Sequence, residues 1–194
     1  AVAIFLDPPR LGAVKPRLAA EVGAHHALRL YRVLASRTLA AVRALDVPTV
    51  IWFSPVEAQP EMRHWLGPSW TLRPQASGAL GARLAAASHG VEPGYPWLVI
   101  LSESAGLEPR LLSAALDALI DYPAVLGPTQ QGGCYLIGAR RPLPGLAAGV
   151  TEDGPGVLAA LRTALDRMTP EWRELPELRV VESAADAAAA GLLV

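Results

Sequence analysis

Lys15 and Arg17 stand two residues apart in the stretch LGAVKPRL, residues 11–18, just after an apolar run and a Pro8-Pro9 turn. Lys15 is the only lysine of the chain; histidines aside, every other basic residue is an arginine. Two cations on a loop that leaves an apolar segment have the chemistry to hold a phosphate group. Two glycine-rich turns could add to that function. GALG spans residues 78–81 and QGG residues 131–133. Small residues let backbone N–H groups approach an anion, and a helix N-terminus adds favourable potential. In open α/β sheets ligands collect outside the carboxyl ends of the strands. Four loops are expected there: 7–17, 74–81, 102–108 and 129–133.

Other polar residues read as structural. His25 and His26 are adjacent, so on a helix their side chains diverge by about 100° and do not share a metal easily. His64 and His89 have no partner at ligand spacing. Glu152 and Asp153, in TEDGP, are placed to cap a following helix. Cys134 opens a strand and reads as a small buried hydrophobe rather than a nucleophile. The five tryptophans are scattered, as packing residues are.

The elements that would position Lys15 and Arg17 alternate between β-branched or aromatic runs and longer Ala/Leu-rich segments. That alternation predicts a single-domain three-layer α/β/α sandwich, Rossmann-like, with a mostly parallel sheet. Strands are expected at residues 2–6, 49–54, 70–73, 97–101, 124–128, 134–139 and 178–182. One long helix is expected over 18–45, where Leu30, Leu34, Thr38, Ala41 and Leu45 fall near one face. A short piece of unassigned type lies around 61–65, and further helices are expected over 79–88, 110–120, 154–166 and 184–190. Pro109 suits the first helical position of its segment, as Pro155 does near the start of its own. No repeat or long linker divides the chain.

Composition bounds the partners. The sequence has 194 residues with a formal net charge of −1, 52% hydrophobic and 18% charged. A chain of this size can bury roughly 70% of its extended surface. Near-neutrality argues against a broad nucleic-acid or anionic-membrane surface and leaves room for a local basic pocket. A single cysteine excludes an internal disulfide and a cysteine-built zinc site, and the reducing cytoplasm is the expected compartment. The opening AVAIFLDPPR has too short an apolar run and no basic leader for a signal peptide. No stretch reaches the ~18 uninterrupted apolar residues of a membrane span. Exposed apolar strands at a sheet edge would permit a homodimer.

The order of four segments is more specific than any one of them. FLDPPRLGAVKPRL, QASGALGARL, LVILSESAGL and AVLGPTQQGGCYLIG together resemble a small bacterial family of glycosyltransferase-like proteins with the GT-A nucleotide-sugar fold, named by reference to arsenosugar biosynthesis. That family runs roughly F-x-K-x-P-x-x-G-x-V-K-T-R-L, G-D-L-G, G-x-D-C-P-x-L and A-V-L-G-P-x-x-D-G-G-Y-Y-L-I-G. The resemblance covers residues 2 to about 138, with a looser tail.

On this resemblance Lys15 and Arg17 fall on a basic pair that would offset the charge of a nucleotide diphosphate, with Gly12 allowing the turn. Gly78, Ala79, Gly132 and Gly133 would complete the nucleotide and phosphate contacts. Glu103 would hold Mg²⁺ or Mn²⁺ and share the catalytic positions with Gln131, and an unidentified acceptor would enter over residues 131–133. Among the departures two carboxylates are lost and one cation is reversed. Asp7 replaces a lysine, Pro16 a threonine, and Ala79 and Gln131 each an aspartate; Glu103 replaces a third aspartate. A neutral amide neither supplies charge nor acts as a base. The resemblance therefore implies a GT-A type glycosyltransferase binding a nucleoside-diphosphate sugar, weakened or inactive in catalysis. Alternatives are a nucleotidyltransferase of the cofactor guanylyltransferase type and a non-catalytic pseudoenzyme serving as a binding module.

Overall fold

The computed structural model describes residues 1–90, 95–101, 104–146, 150 and 156–193. Strand β1 (Val2–Leu6) is buried at every position, as a central parallel strand covered on both faces must be. Val2, Ile4 and Leu6 face one core and Ala3 and Phe5 the other, the two-residue period of a strand. The remaining strands are β2 (Thr49–Phe53), β3 (Thr71–Pro74), β4 (Trp97–Ile100), β5 (Ala124–Pro128), β6 (Cys134–Ala139) and β7 (Arg173–Glu174). They form one seven-stranded sheet in the order β3-β2-β1-β4-β6-β5-β7. All pairings are parallel except those of β6, which runs antiparallel to both β4 and β5.

Helices α2 (Ala24–Arg43), α3 (Gln59–Leu66) and α5 (Pro109–Asp121) cover one face, α4 (Leu80–His89) and α6 (Val157–Met168) the other. Helices α1 (Pro16–Val22) and α7 (Ala184–Ala189) close around the first half of α2 through Leu18, Leu30, Leu34, Val181 and Ala187. This is the α/β sandwich that the alternating pattern predicts. From β1 the chain moves outward to β2 and β3, whereas β4 lies on the other side of β1. The carboxyl ends of β1 and β4 therefore part at a topological switch, where such sheets open a crevice.

Two expectations about elements fail for local reasons. The long helix expected over 18–45 is broken at Gly23, whose φ of 84° leaves the helical region. Gly23 ends α1 by donating its N–H to Ala19 O and starts α2 by accepting from Ala27 N. The strand expected over 178–182 is absent. That segment makes only isolated bridges, Thr129 to Leu178 and Ser104 to Val180, and β7 lies upstream at Arg173–Glu174. Pro176, without an N–H, stands between the two. The expected start of α6 at 154–155, with Glu152 and Asp153 as caps, lies outside the described residues.

The pairing of β5 with β6 slips once. Pro128 is opposite Cys134 while Gly127 is opposite Leu136, which leaves Tyr135 as an extra residue. Bulges of this kind re-aim side chains. Tyr135 and Leu136 consequently share one core while Cys134 points to the opposite one, on the side of the crevice.

Candidate functional site

A cavity of about 510 Å³ opens over the carboxyl ends of β1 and β4. Its apolar floor includes Phe5, Leu80, Leu101, Cys134 and Val157. Lys15 and Arg17 reach it from one side and Arg83 from another, with Asp7 and Glu182 as the described acids on the wall.

The first wall is the loop after β1. Two short turns, Arg10 N to Pro8 O and Ala13 N to Arg10 O, fold it back on itself. The Tyr31 hydroxyl from α2 donates to Asp7 O at 2.7 Å and accepts from Asp7 N at 3.1 Å, fixing the strand exit. Arg10 ties the loop to α3 through Glu61, 2.8 Å away. Lys15 then takes the left-handed conformation, φ 50° and ψ 55°, as the N-cap of α1. A non-glycine residue there costs roughly 1–2 kcal/mol, and the buried Val14 beside it anchors the turn. The Lys15 side chain is only 8% exposed, and its Nζ lies 3.8 Å from Glu182 Oε1.

Gln75 and Arg83 form the opposite wall. Gln75 follows β3 and is clamped by three bonds: its N–H to Phe53 O, its Nε2 to Trp52 O at 3.2 Å, and Arg83 Nη1 to its Oε1 at 3.1 Å. Arg83 sits one turn into α4, whose close approach depends on Gly81. A Cβ there would meet Leu146 O at 2.3 Å and Val150 O at 2.6 Å.

The third wall joins the β5–β6 turn to residues 178–182. Leu178 N donates to Pro128 O, and Gln130 N donates to Leu178 O. Gln131 extends this ladder with its side chain: Nε2 donates to Val180 O at 2.9 Å, and Oε1 accepts from Val180 N at 3.3 Å. A primary amide has one donor and one acceptor end and so can replace a peptide group. An aspartate at this position could not make both bonds. Gln131→Glu is therefore expected to cost about 1–2 kcal/mol through the lost donor to Val180 O. A second carboxylate would also face Asp186, now 3.4 Å from Gln131 Nε2. Thermal melting should register the loss, while the exposed Glu177→Gln should melt like the parent.

Asp186 is the post behind this wall. Burial alone would push its carboxyl up, but the Ser183 hydroxyl, the N–H groups of Glu182 and Ser183, and Arg179 carry it below the usual carboxylate range. Burial pushes the Cys134 thiol up to about 12, and its Sγ donates to Leu136 O. Burial likewise raises Tyr135.

The expected site residues divide clearly. Lys15, Arg17, Gln131 and Gly133 meet at the cavity; Gly12, Gly78, Ala79 and Gly132 are not on its wall. Glu103 lies outside the described residues. Three amides of the two glycine turns are already engaged. Gly132 N donates to Thr129 O, Gly133 N to Thr129 Oγ1, and Gly81 N to Val150 O. Sequence reasoning missed Arg83, Gln75, Tyr31 and Glu182. Arg83 had a signal, lying two residues past GALG, whereas Glu182 sat in a segment read as a plain strand. Among the described residues no three His, Cys, Asp or Glu side chains gather as a metal site, and no helix is long and apolar enough to cross a membrane.

Sheet order, layering and the crevice at the switch point define the α/β class shared by nucleotide-diphospho-sugar transferases and nucleotidyltransferases. Within that class, residues 38–151 match the model of the family described as "Uncharacterized protein conserved in bacteria (DUF2064)", and the chain belongs to that family. A solved protein from Desulfovibrio desulfuricans G20, provisionally named a nucleotide-diphospho-sugar transferase, is 27% identical with a TM-score of 0.86, covering 94% of this chain and 81% of that one. Two more distant structures share the fold. Rv0371c of Mycobacterium tuberculosis H37Rv, solved with manganese, has TM-score 0.61 at 16% identity over 99% of this chain and 97% of its own. The 4-diphosphocytidyl-2C-methyl-D-erythritol synthase of Anaerococcus prevotii DSM 20548 has TM-score 0.62 at 10% identity, over 97% and 93%. No curated protein matches the chain.

Proposed function

We propose that this chain binds a nucleoside-diphosphate sugar in the cavity, with the diphosphate between Lys15, Arg17 and Arg83. The observation that carries the reading is the meeting of these three cations at the carboxyl ends of β1 and β4. Isolated surface cations would not select a diphosphate. Converging ones beside an apolar floor provide both charge and orientation.

The same cations would neutralise the diphosphate as it leaves a transferred sugar, so positioning and electrostatics supply most of any rate enhancement. A Mg²⁺ or Mn²⁺ ion requires only one or two carboxylates when substrate phosphates and water complete its shell. Asp7 on the described wall, with Glu103 assigned from sequence, suits that donor set. Such an ion would supply further charge neutralisation on the phosphate oxygens. The engagement of both ends of Gln131 by Val180 favours a structural role at this position, in keeping with weak or absent transfer.

Calorimetric titration with UDP-, GDP-, ADP- and dTDP-sugars, each with Mg²⁺ or Mn²⁺, tests the reading. Saturable heat and a thermal shift with at least one of them are expected. Silence across the panel overturns it. Nucleotidyl transfer, suggested by distant neighbours of the fold, would instead release pyrophosphate from a nucleoside triphosphate supplied with a sugar phosphate.

A further inference from the structure

Glu182 sets a carboxylate, beside that of Asp7, in the wall of a cavity on which three cations converge. Its Oε1 lies 3.8 Å from Lys15 Nζ, and its side chain is 33% exposed against 8% for the lysine. Its main chain is firmly held. Glu182 N donates to Asp186 Oδ2 at 3.2 Å, and Val180 is bonded at both backbone groups by Gln131. Just beyond, Ser183 and Asp186 form a reciprocal cap on α7, and Ala184 N donates to Glu21 Oε2 at 2.8 Å. The carboxylate can pivot, but its backbone cannot readily leave the wall. The other described charges facing the cavity are Arg17, Arg83 and Asp7.

We infer that Glu182 is a specificity residue that disfavours a free diphosphate in this cavity and favours one whose charge is reduced by a divalent cation. The inference rests on the proposed binding of a nucleoside diphosphate at Lys15. A metal-free diphosphate that reaches Lys15 must share it with Glu182, and like charges at that spacing repel. Partial exposure of Glu182 screens the repulsion, so the penalty is modest. A bound cation lowers the charge the carboxylate meets and removes most of it. Glu182 thereby acts on the ligand through Lys15 and through its own field, without any required bond to the metal.

The test is calorimetric titration of UDP, GDP, ADP and dTDP into the parent, Glu182→Gln and Glu177→Gln, with Mg²⁺ and with chelator. Glu182→Gln should bind the metal-free nucleotide about tenfold more tightly than the parent, about 1.4 kcal/mol. The gain produced by Mg²⁺ should shrink correspondingly, while Glu177→Gln should behave as the parent. Melting curves of each variant establish that folding is retained. If metal-free affinity stays at the parental value while Mg²⁺-assisted affinity falls, Glu182 is a metal ligand and the inference is overturned. Identical affinities in both conditions also overturn it, leaving nucleotide binding intact. No heat from any protein in either condition removes the proposed function itself, and this inference with it.

Discussion

Gly127→Ala should lower the unfolding free energy by about 3 kcal/mol, read as a fall in melting midpoint of roughly 6–12 °C for a chain of this size. The added Cβ would stand 2.4 Å from Tyr135 Cζ and 2.7 Å from both neighbouring ring carbons. An aromatic ring cannot bend away as the end of a long side chain can. Tyr135 is also fully buried and tied through its hydroxyl to Pro176 O at 3.0 Å. Relief would require moving β5, the β6 bulge, or the chain around Pro176. The last leads directly into residues 178–182, so the strain reaches the wall that carries Gln131 and Glu182. A double-mutant cycle with Tyr135→Leu isolates the clash. Tyr135→Leu is destabilising alone, yet Gly127→Ala should add little on that background. Fully additive losses would show that the glycine is needed for some other reason.

The same residues show what the sequence could reveal. β1 and β4 were legible because fully buried parallel strands are written as uninterrupted apolar runs, and Pro109 marked the start of α5. The break at Gly23 is not legible, since a glycine in an Ala/Leu-rich segment looks like a tolerated weakness until its φ is known. Residues 178–182 carry a strand's composition but find no strand to pair with, and composition does not encode partners. At the site, Lys15 and Arg17 were visible because they lie close together in sequence. Gln131 was visible within its glycine turn, whereas its bonds to Val180 cross 49 residues. Glu182 was invisible for the same reason: its meaning comes from Lys15, brought to 3.8 Å by the fold. Glycines posed the opposite problem. GALG and QGG look like anion cradles, but their N–H groups at Gly81, Gly132 and Gly133 satisfy the protein's own carbonyl and hydroxyl oxygens, as buried donors usually do.

Lys15→Met should reduce nucleotide-sugar affinity by about 10- to 150-fold, the equivalent of one charge-assisted contact of roughly 1.5–3 kcal/mol. Methionine retains an apolar stem of similar length, so the change removes charge more than volume. The loss should lie at the upper end of the range, because Glu182 would then face the incoming phosphate without its counter-charge. Arg17→Ala should have a smaller effect, since that side chain is exposed and solvent screens it. Folding can be separated from binding at the same position. Lys15→Gly also removes the cation, but glycine takes the φ of 50° without the cost borne by lysine. Lys15→Gly should therefore melt no lower than Lys15→Met while binding just as poorly. Adding Glu182→Gln to Lys15→Met should recover part of the lost affinity, because the repelling charge is gone although the attracting one is not restored. Unchanged affinity in Lys15→Met would move the diphosphate away from the first loop. No recovery in the double variant would leave Lys15 as a phosphate ligand but deny Glu182 its influence over it.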